Sequence, residues 1–279
     1  MSVTPVTVEI PAGSSSMQGT LFAAQTPRAV AVMNGATGVP HRYYRHFAAW
    51  LAETQNITCL TYDYRGFGAS AQGHIRDVSL RMADWGITDQ QAARDWLAAN
   101  TPDTPLWVIG HSLGGFMLAH QRPLPQVARI IAICSGPVHL RDHPMSHQLQ
   151  IRFFWFVLGP TLIRLYGYLP AGLSGLGAAI PAQVFWQWRK WCTTRGFHHN
   201  DPSLPRPDLE QVTAPLYSFA LSDDEMMPPA AVQRLSTLYP AAAHHHSTLT
   251  PTDFGLNKVG HIAAFARQNA ALWPRFIAG

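Results

Sequence analysis

The stretch whose reading decides the fold is WVIGHSLGGFML, Trp107–Leu118. Trp107 to Ile109 are apolar, as in a strand buried on both faces. The chain then passes Gly110 into a serine set between glycines. A hydroxyl directly after a buried strand is a poor packing choice, so its position asks for a chemical reason. Gly110-His111-Ser112-Leu113-Gly114 fits the G-x-S-x-G pattern at a predicted strand-to-helix junction. So sharp a turn strains the serine backbone, and small residues two before and two after let strand and helix approach closely. The hydroxyl is lifted out of the sheet beside amides at a helix N-terminus, where negative charge is stabilised. The plainer reading is a serine that caps a helix after a strand, which many chains could use.

Outward from this stretch, short β-rich runs alternate with helical patterns. VTVEI and MQGTLFA predict an opening antiparallel pair, and AVAVM (29–33) a buried strand. RYYRHFAAWLA places Tyr44, Phe47, Ala48 and Leu51 on one helical face. ITCLTYD, LWVIG and RIIAIC predict further strands, with helices over Met82–Ala99, where Trp85, Ala92 and Trp96 stand near helical spacing, and over Ser112–His120. Strands separated by helices need parallel crossovers, hence an α/β fold with a doubly wound, mostly parallel sheet. After Cys134 the rhythm stops and resumes at PLYSFALSDDE, HHHSTLT and a last helix over His261–Trp273. The expected organisation is a core of residues 1–135 and 213–279 interrupted by an inserted cap, 136–212.

Composition narrows the function. Of 279 residues 47% are apolar and only 13% charged, which suits one large core with covered apolar surface. The net charge of +4 comes from scattered arginines without a basic run, so no nucleic-acid partner is expected. Cys59, Cys134 and Cys192 share no metal or redox spacing and point to buried thiols in a reducing compartment. The N-terminal residues carry no secretory pattern, and a cytoplasmic chain is expected. Leu165–Trp186 has no charged residue, but Pro170, Pro181 and several glycines would break a spanning helix, so it reads as a buried or lid element.

Two further motifs, NGATG (34–38) and DYRGFGAS (63–70), follow the earlier strands, and an acid and a histidine follow the serine in order. With these the chain resembles the α/β-hydrolase superfamily of serine hydrolases over essentially its whole length. It looks most like bacterial members that carry NGATGVP, DYRG and GHSLGG together. The resemblance implies a triad of Ser112, Asp224 and His261. Asp224 stands four residues before Pro228, whereas its neighbour Asp223 would hydrogen-bond the loop; Asp142 is an outside alternative. His261, after a glycine and past the last strand, is the implied base. The adjacent His244, His245 and His246 point to opposite faces of a strand and suit no metal site. The implied oxyanion hole is built from the Leu113 and Ala36 amides, with Asn34 replacing the family's more frequent histidine and putting that loop's support in question.

The expected chemistry is hydrolysis of an ester or thioester through an acyl-serine, with no metal or organic cofactor. An acyltransferase of the same fold and a non-catalytic binding protein remain alternatives; a dehalogenase needs a carboxylate at position 112 and is excluded. Phe154, Trp155, Trp186 and Trp188, with Phe153, Phe156, Phe185 and Trp191 beside them, are candidates for an apolar pocket, or else simply hold the cap together. The expected partner is a small apolar substrate. Transient contact with a membrane surface is not favoured, and a homodimer is left open.

Overall fold

In the computed structural model, which describes residues 3–123, 125–174 and 176–278, eight strands form one sheet. They are β1 (Val6–Ala12), β2 (Ser15–Phe22), β3 (Ala29–Asn34), β4 (Ile57–Tyr62), β5 (Leu106–His111), β6 (Val127–Ile133), β9 (Leu216–Leu221) and β10 (His244–Leu249). The order is β1-β2-β4-β3-β5-β6-β9-β10. β1 and β2 pair antiparallel, as does β2 with β4, and every later pairing is parallel. β3, β4 and β5 are buried at every position, so their side chains are mostly apolar on both faces and the few polar ones must find partners inside. This is the α/β-hydrolase fold.

The helices are α1 (Arg45–Thr54), α2 (Gln90–Asn100), α3 (Met145–Phe153), α4 (Gly159–Tyr166), α5 (Ala171–Ser174), α6 (Ala182–Thr193), α7 (Pro229–Gln233) and α8 (Trp273–Ile277). α1 and the turn before it bury Tyr44, Phe47, Ala48 and Leu51, the face that the sequence predicts. Before α2 a π-turn, Asp84–Asp89, adds a residue to the winding. Trp85 is buried as the spacing suggests, but along α2 the buried row is Ala93 and Leu97 rather than Ala92 and Trp96. Between β6 and β9 the chain contributes α3 to α6 and a two-residue antiparallel pair, β7 (Tyr168–Leu169) with β8 (Ile180–Pro181), but no strand to the main sheet.

Two expected helices are not α-helical. Ser112–Gly115 and Leu118–His120 are 3₁₀ turns, because Gly114-Gly115 resists helix and Phe116 and Met117 leave helical angles. Residues 263–272 likewise form 3₁₀ turns, broken at Ala266 in extended backbone and at Asn269, with α8 starting only at Trp273. Both segments are apolar enough to be buried, and burial does not require α-helical winding.

The strand order reverses at β3, between β4 and β5. In open parallel sheets the crevice at such a reversal, beyond the carboxyl ends of the strands, is where ligands bind. Asn34 pairs with Gly110 in the register, so the NGATG and GHSLGG loops leave the sheet side by side. The DYRGFGAS loop after β4 is closed by Asp63, whose buried carboxylate accepts the His41 amide at 2.7 Å and the Ala69 amide at 2.8 Å. Gly68, at φ +54°, passes so close that a Cβ would lie 2.2 Å from Asp63 Oδ2. Asp63→Ala, which leaves two amides without their acceptor, is expected to lower stability by about 3 kcal/mol in urea unfolding.

Candidate active site

Ser112 sits at the exit of β5 with φ +54°, one of the few non-glycine residues in left-handed backbone. Its neighbours explain the glycines. A Cβ on Gly110 would stand 2.3 Å from the Gly114 carbonyl oxygen, and one on Gly114 would stand 2.1 Å from that of Asn34. Asn34, the residue in question at the oxyanion loop, is fully engaged: its Nδ2 donates to Gly114 O at 3.2 Å and its Oδ1 accepts from Tyr62 Oη at 2.7 Å. The loop also receives the Tyr64 hydroxyl on Gly35 O, and Gln90 ties Tyr64 to the Leu113 carbonyl.

Asp224 follows β9 by three residues and accepts from His261 Nδ1 at 2.8 Å. Its other oxygen accepts the Met226 and Met227 amides. Burial pushes its carboxyl up, but the His261 ring, the Met227 amide and the Cys134 thiol outweigh this and hold it below the usual carboxylate range. A carboxylate can only accept, so His261 carries a proton on Nδ1, and its Nε2 is the ring nitrogen turned away from Asp224. Asp223 takes a different part. Its Oδ2 accepts the Val259 and Gly260 amides at 2.7 and 3.0 Å and shapes the left-handed turn that presents His261. Asp142 pairs with Arg234, away from this cluster.

Cys134 Sγ, Asp224 and His261 offer ligand atoms within 4.8 Å of one another. Burial, then the Asp224 charge, push the thiol well above its usual value. In this state the thiol donates a hydrogen bond to Asp224.

Ser112 and His261 share the wall of one cavity of about 230 Å³. Among the described residues Ser112 Oγ makes no hydrogen bond to the ring; such contacts are often loose until substrate is bound. Phe154, Trp155 and Trp188 line this cavity, but Trp186 does not. On α6, Trp188 and Cys192 lie four apart on the cavity face, whereas Trp186, two residues from Trp188, is turned about 200° around the helix. It faces the Arg189 guanidinium instead. Phe153 and Phe156 are half-exposed, and Phe185 and Trp191 are fully buried packing.

The Ala36 expectation also needs correction. Its N–H is donated inward to Tyr44 Oη at 2.9 Å. Tyr44 contacts His111 Nδ1 at 2.9 Å, and His111 Nε2 lies 2.9 Å from the His261 carbonyl oxygen. Donation therefore runs from Ala36 through Tyr44 to His111, and from the far side of that ring to His261. The Ala36 amide is occupied as the chain stands, because a hydroxyl at this depth must find both a donor and an acceptor.

Sequence reasoning passed over several of these residues. Tyr43 Oη, donating to Ile262 O at 2.7 Å, and His111 brace the base loop from α1's approach and from β5. His147, Gln150 and Ile151 line the cavity together with the expected Phe154, at spacings of three, one and three along α3 and the turn that continues it, a helical face visible in HQLQIRFF once the cavity's position is known. The three histidines of β10 do alternate: His244 and His246 both meet Ser218 Oγ, and His245 stacks on Tyr217.

The family described as "Serine aminopeptidase, S33" matches residues 24–173. A lysophosphatidylserine lipase of Gallus gallus is 32% identical over 114 residues, covering 36% of this chain and 27% of that protein, so the match spans about a quarter of the relative's length. Among solved structures, an esterase of Pyrococcus furiosus superposes with a TM-score of 0.61 at 14% identity, over 98% of this chain and 88% of that one. The α/β hydrolase GrgF from Penicillium sp. sh18 gives 0.60 at 18% identity, over 98% and 96%. At such identities these structures speak for the fold alone.

Two outcomes follow from this geometry. The His261 Nδ1 proton is expected to give a low-field proton NMR resonance that is lost in Asp224→Ala and kept in Asp223→Ala. Burial chiefly, with the neighbouring His261, pushes the folded His111 pKa from 6.5 down to about 3. Between those values the unfolded chain binds a proton that the folded chain does not, so stability falls as pH drops from 6.5 towards 3. His111→Gln is expected to take up about one proton fewer on unfolding near pH 5, measured by the pH dependence of the urea midpoint.

Proposed function

The chain belongs to the serine aminopeptidase S33 family of α/β hydrolases, and from that premise we propose that it is a serine hydrolase of carboxylic esters or thioesters. The observation that carries this reading is the Asp224–His261 hydrogen bond of 2.8 Å at the wall of the cavity that also holds the strained Ser112. His261 Nε2 takes the Ser112 proton as Oγ attacks the carbonyl carbon, and Asp224 fixes the tautomer and offsets the imidazolium charge. The Leu113 amide receives the oxyanion. The leaving alcohol or thiol takes the proton from His261, which then activates water to release the acid.

Substrate class is read from the cavity wall. Ile151, Phe154, Trp155, Trp188, Met226 and Met227 give it an apolar lining, and His143, His147 and Gln150 a polar edge. An acyl chain beside a hydrogen-bonding head group fits this better than the ammonium terminus of a peptide, which calls for a carboxylate. The Gallus gallus relative, by its name, acts on a lysophospholipid, which carries an ester between such parts. In this reading residues 136–212 form the cap that roofs the site, since α3 and α6 supply the lining from above the sheet's exit loops.

A fluorophosphonate probe with mass mapping tests the assignment. Labelling of Ser112 in the wild type, with labelling slowed by orders of magnitude in His261→Ala, is expected. Ser112→Ala should lower turnover of nitrophenyl esters by about 10³-fold or more. An unlabelled Ser112 would overturn the reading.

A further inference from the structure

α3 and α4 are joined through a π-turn, Phe154–Leu158, with helical backbone at each junction, so the chain winds without a break from Met145 to Tyr166. Its two sides differ in what they meet. His147, Gln150, Ile151 and Phe154 face the cavity. On the other side Met145, Leu149, Phe153, Val157 and Leu165 recur at multiples of four, at 81, 80, 53, 50 and 70% exposure. Phe156 lies beside them, 47% exposed. Single exposed apolar residues are ordinary, but a continuous row along one helix marks an interaction surface.

Charge identifies the partner. No acidic residue stands between Asp142 and Asp201, an interval that holds Arg152, Arg164, Arg189, Lys190 and Arg195. Arg152 and Arg164 are exposed on the helix itself, and the Arg189 guanidinium covers the Phe156 ring at 4.8 Å. The acid that reaches this helix, Glu225, meets His147 on the cavity side at 3.5 Å. An apolar row flanked by arginines, whose long stems let the charge rise to a polar layer, suits a helix lying in the plane of an anionic lipid surface. No described helix is long and apolar enough to cross a membrane. We propose that the outer face of α3–α4 docks this protein on anionic lipid surfaces, with the cavity on the opposite face of the same helix.

Docking is separable from catalysis, so the test reads binding first. The full chain is sedimented with vesicles of phosphatidylcholine alone and of phosphatidylcholine mixed with phosphatidylglycerol. Co-sedimentation with the mixed vesicles, weakened by salt, is expected. Met145→Ser with Leu149→Ser should weaken it about tenfold or more, and Arg152→Gln with Arg164→Gln should make the two vesicle types more nearly equal. Neither pair touches the cavity, so turnover of a water-soluble short-chain nitrophenyl ester should stay at the wild-type level. Equal binding to neutral vesicles, or unchanged binding by the Met145/Leu149 variant, overturns the proposal. So does a stable dimer in light scattering that those substitutions dissociate, since a second copy would then cover the row. A chain that binds vesicles but never labels with fluorophosphonate would sink the catalytic reading and leave this one standing.

Discussion

Where β3 and β5 leave the sheet, their backbones approach until no methyl group fits between them: a Cβ on Gly114 would stand 2.1 Å from the Asn34 carbonyl oxygen. This contact sets the site. It holds the chain after Ser112 against the NGATG loop, so the serine must turn out of the sheet in left-handed backbone at φ +54°. The strain is sustained because Asn34, Tyr62, Tyr64 and Gln90 bind both sides of the junction through buried hydrogen bonds. Asn34 supports the loop with its one amide, donor to Gly114 and acceptor from Tyr62.

The same economy of buried polar groups links the other half of the site. The base loop carries no regular secondary structure before His261, yet it is held at four points: two amides on Asp223, the His261 carbonyl on His111, and the Ile262 carbonyl on Tyr43. His111 thus joins the strand that leads into Ser112 to the backbone of His261. Its burial keeps it neutral, so it can donate from one nitrogen and accept at the other. Tyr44 completes the chain to Ala36, which places the 34–38 loop, the end of β5 and His261 in one hydrogen-bonded unit.

The segment between β6 and β9 obeys different rules. It adds nothing to the main sheet and is held by aromatic packing, with Phe185 and Trp191 buried and Trp191 Nε1 donating to Asp201. Because α3 has no third layer above it, its outer row stays in solvent while its inner row meets the cavity. One helix is thereby apolar on two sides for two reasons. A sequence pattern alone reports only that it is apolar.

Local patterns were enough for the α/β alternation, the antiparallel start, the break in strand rhythm after Cys134 and the strained serine, because each rests on short-range periodicity or on a glycine that backbone geometry demands. The selection of Asp224 over Asp223 came from family resemblance. The distinct contacts of the two acids emerge only where β9 and the 259–261 loop meet. Trp186 turned outward and the Ala36 amide turned inward for the same kind of reason: which way a group faces is decided by what packs beside it, and those neighbours lie far away in sequence. The 3₁₀ turns after Ser112 and His261 were illegible too, since apolar composition calls for burial without dictating the winding. The chain's own order of residues thus determined which strands form and where a nucleophile could stand. Only the folded packing decided which donors, acceptors and side chains reach it, because those contacts join residues up to 219 positions apart.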